Sequence, residues 1–115
     1  MRVLVVDDDA SIRLLCRVNL ELRGYAVAEA ATLAQAREML AGGAVHAVLL
    51  DLALGADDGL ELLPELGGVP VALLTGRERQ GDALPVLGKP FELDELFSTV
   101  ERLAGAAATG RLASG

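Results

Sequence analysis

RVLVVDDD, residues 2–9, is the stretch that decides the fold. A short apolar run, rich in β-branched valine, reads as a strand buried on both faces, as in a parallel sheet. The three acids that end it mark a loop. From residue 10 to 23 the apolar residues Ile12, Leu15, Cys16 and Leu20 fall on one helical face, and Gly24 supplies a stop. Residues 25–29 read as a second strand. Thr32 can cap a helix through Leu33, Ala36 and Leu40, which Gly42 and Gly43 end. Residues 45–50 form a third strand closed by Asp51, and residues 52–59 a loop. Asp58 can cap a short helix over residues 60–66, which Pro64 should kink. Residues 70–74 make a fourth strand ending at Thr75, residues 84–87 a fifth, and residues 92–103 a last amphipathic helix. Strands alternating with helices at this spacing predict an α/β fold, a parallel sheet covered on both faces. The domain is expected over residues 1–104, with residues 105–115 (GAAATGRLASG) a disordered tail or linker.

Composition narrows the classes. A chain of 115 residues suits one core. With 52% hydrophobic but only 3% aromatic residues, that core must be aliphatic. A formal charge of −7 repels phosphate backbones, so direct nucleic-acid binding is not expected. The one cysteine, Cys16, allows no intramolecular disulfide and reads as a small core hydrophobe. Met1 leads straight into a strand, and no apolar run nears the roughly 18 residues of a membrane helix. A cytoplasmic protein without membrane attachment is expected.

Polar groups of different kinds gather at strand ends: Asp7 and Asp8 after the first, Asp51 at the third, Thr75 at the fourth, and Lys89 just after the fifth. In doubly wound sheets, ligands bind beyond the carboxyl ends of strands where strand order reverses. Crowded carboxylates are costly: two unit charges 4 Å apart repel by roughly 4 kcal/mol at an effective dielectric of 20. A divalent cation, the Lys89 ammonium, or both must offset this. Ligation by acid oxygens suits Mg2+, which takes one or two carboxylates plus a phosphate. A cation and a lysine around a carboxylate nucleophile are the parts needed for phosphoryl transfer.

The stretches VLVVDDDASIR, VLLDLALGADDG, LLTG and GKPFELDEL, taken in order, resemble the receiver domains of response regulators in two-component signalling. The resemblance covers about residues 2–104. It implies a doubly wound five-stranded parallel sheet of order 2-1-3-4-5, which sets the first and third strands side by side, about 4.8 Å apart. It implies further that Asp51 is the phosphoacceptor and that Asp7, Asp8, Asp51 and the Ala53 carbonyl hold Mg2+, Asp7 partly through water. Thr75 would bond the phosphoryl group, and Lys89 would pair with the acceptor, often with a cis bond before Pro90. The implied partner is a histidine kinase or histidine phosphotransfer protein, met by the first helix and the loop after Lys89. A monomer or weak dimer is expected.

Other acids have plainer uses. Asp9 suits the start of a helix, Asp57 and Asp58 suit a loop and a cap, and Glu92, Asp94 and Glu95 complement the dipole of the last helix. His46 reads as a solvated turn residue. The chain also departs from the family. Thr75 and Lys89 stand 14 positions apart, which implies a shortened or missing fourth helix at residues 76–83 (GRERQGDA), as in receivers of hybrid kinases. Val86 stands where many receivers carry an aromatic switch residue. Gly55 and Ala56 replace a frequent Pro-Gly, which should loosen that loop. Two other functions compete with this reading. An aspartate-nucleophile phosphatase of the dehalogenase type would want a second acid where Ala53 stands. A degenerate receiver would act as an unphosphorylated interaction module.

Overall fold

A computed structural model describes residues 1–76 and 84–114, with side chains to residue 107. Five parallel strands form the sheet: β1 (Arg2–Val6), β2 (Ala26–Ala30), β3 (Ala47–Asp51), β6 (Val71–Thr75) and β7 (Val86–Gly88). Their spatial order is β2-β1-β3-β6-β7, the 2-1-3-4-5 arrangement expected. Between β3 and β6 the chain also makes a small antiparallel ribbon of β4 (Ala53–Leu54) and β5 (Asp57–Asp58), where the sequence suggests only a loop. Strand limits shift by a residue or two from those expected. β7, for example, starts after Pro85, which has no N–H for the ladder.

Alternation along the strands sorts the core into two layers. Val3, Val5, Leu49 and Leu74 face Cys16 and Leu20 of α1 (Ala10–Leu22) and Leu96, Val100 and Leu103 of α3 (Leu93–Ser114). Leu4, Val6, Leu50 and Leu73 face Leu33 and Ala36 of α2 (Leu33–Ala41) and Leu62 of a 3-10 helix (Gly59–Glu65). All five residues of β3 and of β6 are buried, which explains why both read as unbroken apolar runs rather than alternating ones. Cys16 is the core residue expected, and burial pushes its thiol up to about 12. Leu15 is an exception: it is exposed rather than part of the buried stripe of α1.

The caps form as read. Thr32 accepts from Gln35 N–H, Asp58 from Leu60 N–H, and Asp9 from Ser11 N–H. Pro64 sits inside the segment expected as a kinked helix, and that segment is 3-10 throughout. The disordered tail is a correction: α3 runs on to Ser114, because the alanines at 104 and 106–108 favour helix strongly enough to carry Gly105 and Gly110 with them. The shortened or missing fourth helix falls mostly on residues 77–83 and lies outside the described residues. No helix among the described residues is long and apolar enough to cross a membrane.

Candidate phosphoryl-acceptor site

Parallel pairing in register brings the strand ends level. Val6 of β1 lies opposite Leu50 of β3, Asp51 opposite Leu74 of β6, and Thr75 opposite Gly88 of β7. Asp7, Asp51, Thr75 and Lys89 therefore arrive at one edge of the sheet, its carboxyl end. Oxygens of Asp7, Asp8 and Asp51 all lie within 4.8 Å of one another.

Asp7 is fully buried, and each of its polar groups is engaged. Its N–H donates to Ala30 O at 3.0 Å, and its carbonyl accepts from an Arg13 guanidinium N–H at 2.7 Å. Its Oδ1 accepts from Asp9 N–H at 2.9 Å and its Oδ2 from Lys89 Nζ at 2.5 Å. Arg13 is in turn held by Glu29 of β2. Asp8 is exposed, and its Oδ2 accepts from Gly55 N–H at 3.0 Å.

Asp51 is buried, with Oδ1 accepting from Ala53 N–H at 3.0 Å and Oδ2 lying 3.3 Å from Lys89 Nζ. Burial raises its carboxyl above the usual range, the charge of Asp7 adds to this, and the Ala53 N–H and Lys89 oppose it. For Lys89, burial lowers the pKa, but the hydrogen bond and charge of Asp7, joined by Asp51, win and leave it raised. Lys89 is set by its own backbone, whose N–H donates to Thr75 O at 2.7 Å, and the bond to Pro90 is cis, as the resemblance suggested. Thr75 is buried beside this junction.

The residues expected at one place are thus together: Asp7, Asp8, Asp51 and Lys89 by direct contact or proximity, Thr75 and Ala53 by adjacent backbone. Asp57, Asp58 and His46 stay outside the acidic cluster. His46 is exposed and accepts from Arg2 N–H at 3.0 Å.

Sequence reading left out two supports. Arg13 grips the Asp7 carbonyl; its one signal was a position a turn into the helix that follows the acids. Gly59 packs directly beneath Asp51, where an added Cβ would stand 2.1 Å from the Asp51 carbonyl oxygen. In the loop after Asp51, Gly55 takes φ +61°, turns the β4–β5 ribbon and donates its N–H to Asp8.

The donor set fits a hard divalent cation. Three carboxylates supply only oxygens, close enough to converge on one ion, and their like charge is only partly offset by one lysine.

The response regulator receiver domain family matches residues 3–101. Response regulator MprA of Mycobacterium tuberculosis is 33% identical over 115 residues, covering 90% of this chain and 50% of that protein. The chain thus spans about half the length of the curated relatives it matches. Among solved structures, the receiver domain of the hybrid histidine kinase CckA superposes with a TM-score of 0.79 at 28% identity, covering 90% of this chain and 98% of that one. NtrX from Brucella abortus gives a TM-score of 0.87 at 29% identity, covering 98% of this chain and 29% of that one. The match runs from the first strand into the last helix on a sheet of the same order, and this chain belongs to the response regulator receiver domains of two-component signalling.

Proposed function

We propose that Asp51 accepts a phosphoryl group, in a Mg2+-dependent reaction, from the phosphohistidine of a histidine kinase or histidine phosphotransfer protein. The observation that carries this reading is the convergence of three carboxylates within 4.8 Å, with Lys89 bridging Asp7 and Asp51. A bound Mg2+, held by Asp7, Asp8, Asp51 and the Ala53 carbonyl, would neutralise charge on the phosphoryl oxygens.

The chain's own groups do the rest. Ala53 N–H fixes one oxygen of Asp51 and so orients the carboxylate. An Asp51 oxygen attacks phosphorus, a new P–O bond forms, and the P–N bond breaks with its electron pair returning to the donor imidazole. Lys89, already 3.3 Å from Asp51, turns to the transferred group and offsets its charge. Thr75 lies at the next strand end, where its hydroxyl can donate to a phosphoryl oxygen. The domain is the acceptor in this exchange and not an enzyme acting on a separate substrate.

The partner class is supported by an exposed apolar stripe on α1. Leu14, Val18 and Leu22 recur at every fourth position with Leu15 beside them, all solvent-exposed. Such a face suits a helical bundle presented by the kinase. Incubation with acetyl phosphate and Mg2+ tests the reading by intact mass. One phosphoryl mass gain, lost without Mg2+ and lost in Asp51→Asn, is the expected result. No gain in the parent chain would leave a degenerate interaction module as the better reading.

A further inference from the structure

Gly55 donates its backbone N–H to Asp8 Oδ2 at 3.0 Å, across 47 residues of chain. The ribbon has no need of this bond. Ala53 pairs with Asp58 and Leu54 with Asp57, so Gly55 and Ala56 form a two-residue hairpin loop. Positive φ at the first loop residue alone is the type II′ pattern, which calls for glycine there. In that turn the closing bond joins the flanking residues, and the first loop N–H points outward, free to donate.

Its acceptor is the one acid of the cluster that lies exposed. An exposed carboxylate on a loop samples several rotamers, and ordering it when an ion arrives costs free energy. We propose that Gly55 is a positioning residue for the cation site: its N–H holds the Asp8 carboxylate beside Asp7 and Asp51 before the cation binds, and so sets cation affinity. The proposal rests on the reading of this cluster as a Mg2+ site. Because one Asp8 oxygen is held, the other stays available to the ion. The same ribbon carries Ala53, so the bond also ties the Asp8 loop to the expected carbonyl ligand.

Only the N–H matters in this proposal, which separates it from loop strain. Apart from its chain neighbours, no heavy atom of the described residues lies within 4 Å of where a Gly55 Cβ would stand, so a side chain is admitted if it tolerates positive φ. Asparagine does so best after glycine. Gly55→Asn keeps the donor and should bind Mg2+ as the parent does. Replacing Gly55 by glycolic acid turns its amide into an ester, removes the N–H while also weakening the Leu54 carbonyl as an acceptor, and should weaken Mg2+ binding about tenfold by calorimetric titration. A second readout needs no metal: hydrogen exchange at the Gly55 amide should be slow in the parent and fast in Asp8→Ala. Unchanged Mg2+ affinity in the ester variant, or equal exchange in parent and Asp8→Ala, overturns the positioning role while the phosphoryl reading stands. A parent chain that binds no Mg2+ overturns both.

Discussion

Lys89 Nζ sits nearer to Asp7, at 2.5 Å, than to Asp51, at 3.3 Å. One ammonium therefore serves two buried carboxylates, both of them in the proposed Mg2+ ligand set, and Asp7 holds it the more closely. If Mg2+ is held by Asp7 as proposed, it would compete with Lys89 for that carboxylate, and Lys89 would be left to serve Asp51 and the phosphoryl group.

Removing the lysine should separate these two roles. Lys89→Ala leaves Asp7 and Asp51 facing each other without a counter-charge, and breaking such a buried pair costs about 3 kcal/mol. Denaturant unfolding of the metal-free variant should show this loss. Its Mg2+ affinity, by titration, should nevertheless rise, since Asp7 no longer has to release a partner. Phosphoryl uptake from acetyl phosphate should fall by roughly a hundredfold, because the charge on the transferred group loses its fixed cation. Weaker Mg2+ binding in the variant would contradict the competition.

Asp8 should behave in the opposite way. It is exposed and adds like charge to a crowded site, so Asp8→Ala should leave metal-free stability within about 0.5 kcal/mol of the parent, or slightly above it. Mg2+ should then raise the melting temperature of the parent but not of the variant, because only binding to the native state stabilises. A variant still stabilised by Mg2+ would remove Asp8 from the ligand set.

The sheet was legible because β1, β3 and β6 are short runs buried on both faces, a pattern few other elements produce. The acids and Lys89 were legible as a set because each closes or follows a strand, and strand ends in such a sheet converge. The strand order itself came from family likeness, since periodicity says nothing about which strands pair. What stayed hidden depends on backbone contact. The Arg13 bond ends on a carbonyl, the Gly55 bond starts from an amide, and neither group leaves a mark in the identity of Asp7 or Gly55. The end of α3 was misread because small residues score as linker by composition but as helix by propensity, and here propensity won.

Gly59 gives a direct test of the packing beneath the acceptor. A methyl group there would stand 2.1 Å from the Asp51 carbonyl oxygen and 3.0 Å from Leu52 Cα, both backbone atoms that cannot rotate away. Gly59 N–H also donates to Leu52 O, which fixes the chain at that point. Gly59→Ala should therefore destabilise the protein by about 3 kcal/mol in denaturant unfolding and slow phosphoryl uptake by displacing Asp51. A stability equal to that of the parent would show that the start of the 3-10 helix yields without strain.

The raised pKa of Asp51 fixes the sign of a pH effect. Below the unfolded carboxylate value of 3.8 the residue is protonated in both states and makes no difference to stability. As pH rises through the folded value, the unfolded chain has already ionised, and the native state must ionise a group that burial and Asp7 disfavour. Stability is lost over that window and stays lower at neutral pH. Asp51→Asn removes the ionisation while keeping the side chain's size and its acceptor for Ala53 N–H. In metal-free buffer the variant should therefore be more stable than the parent at pH 7, by an amount that shrinks to nothing in acid below the ordinary carboxylate range. Denaturant unfolding of both proteins across this span measures it. A variant less stable at pH 7 would mean that the attraction of Lys89 outweighs the desolvation of Asp51.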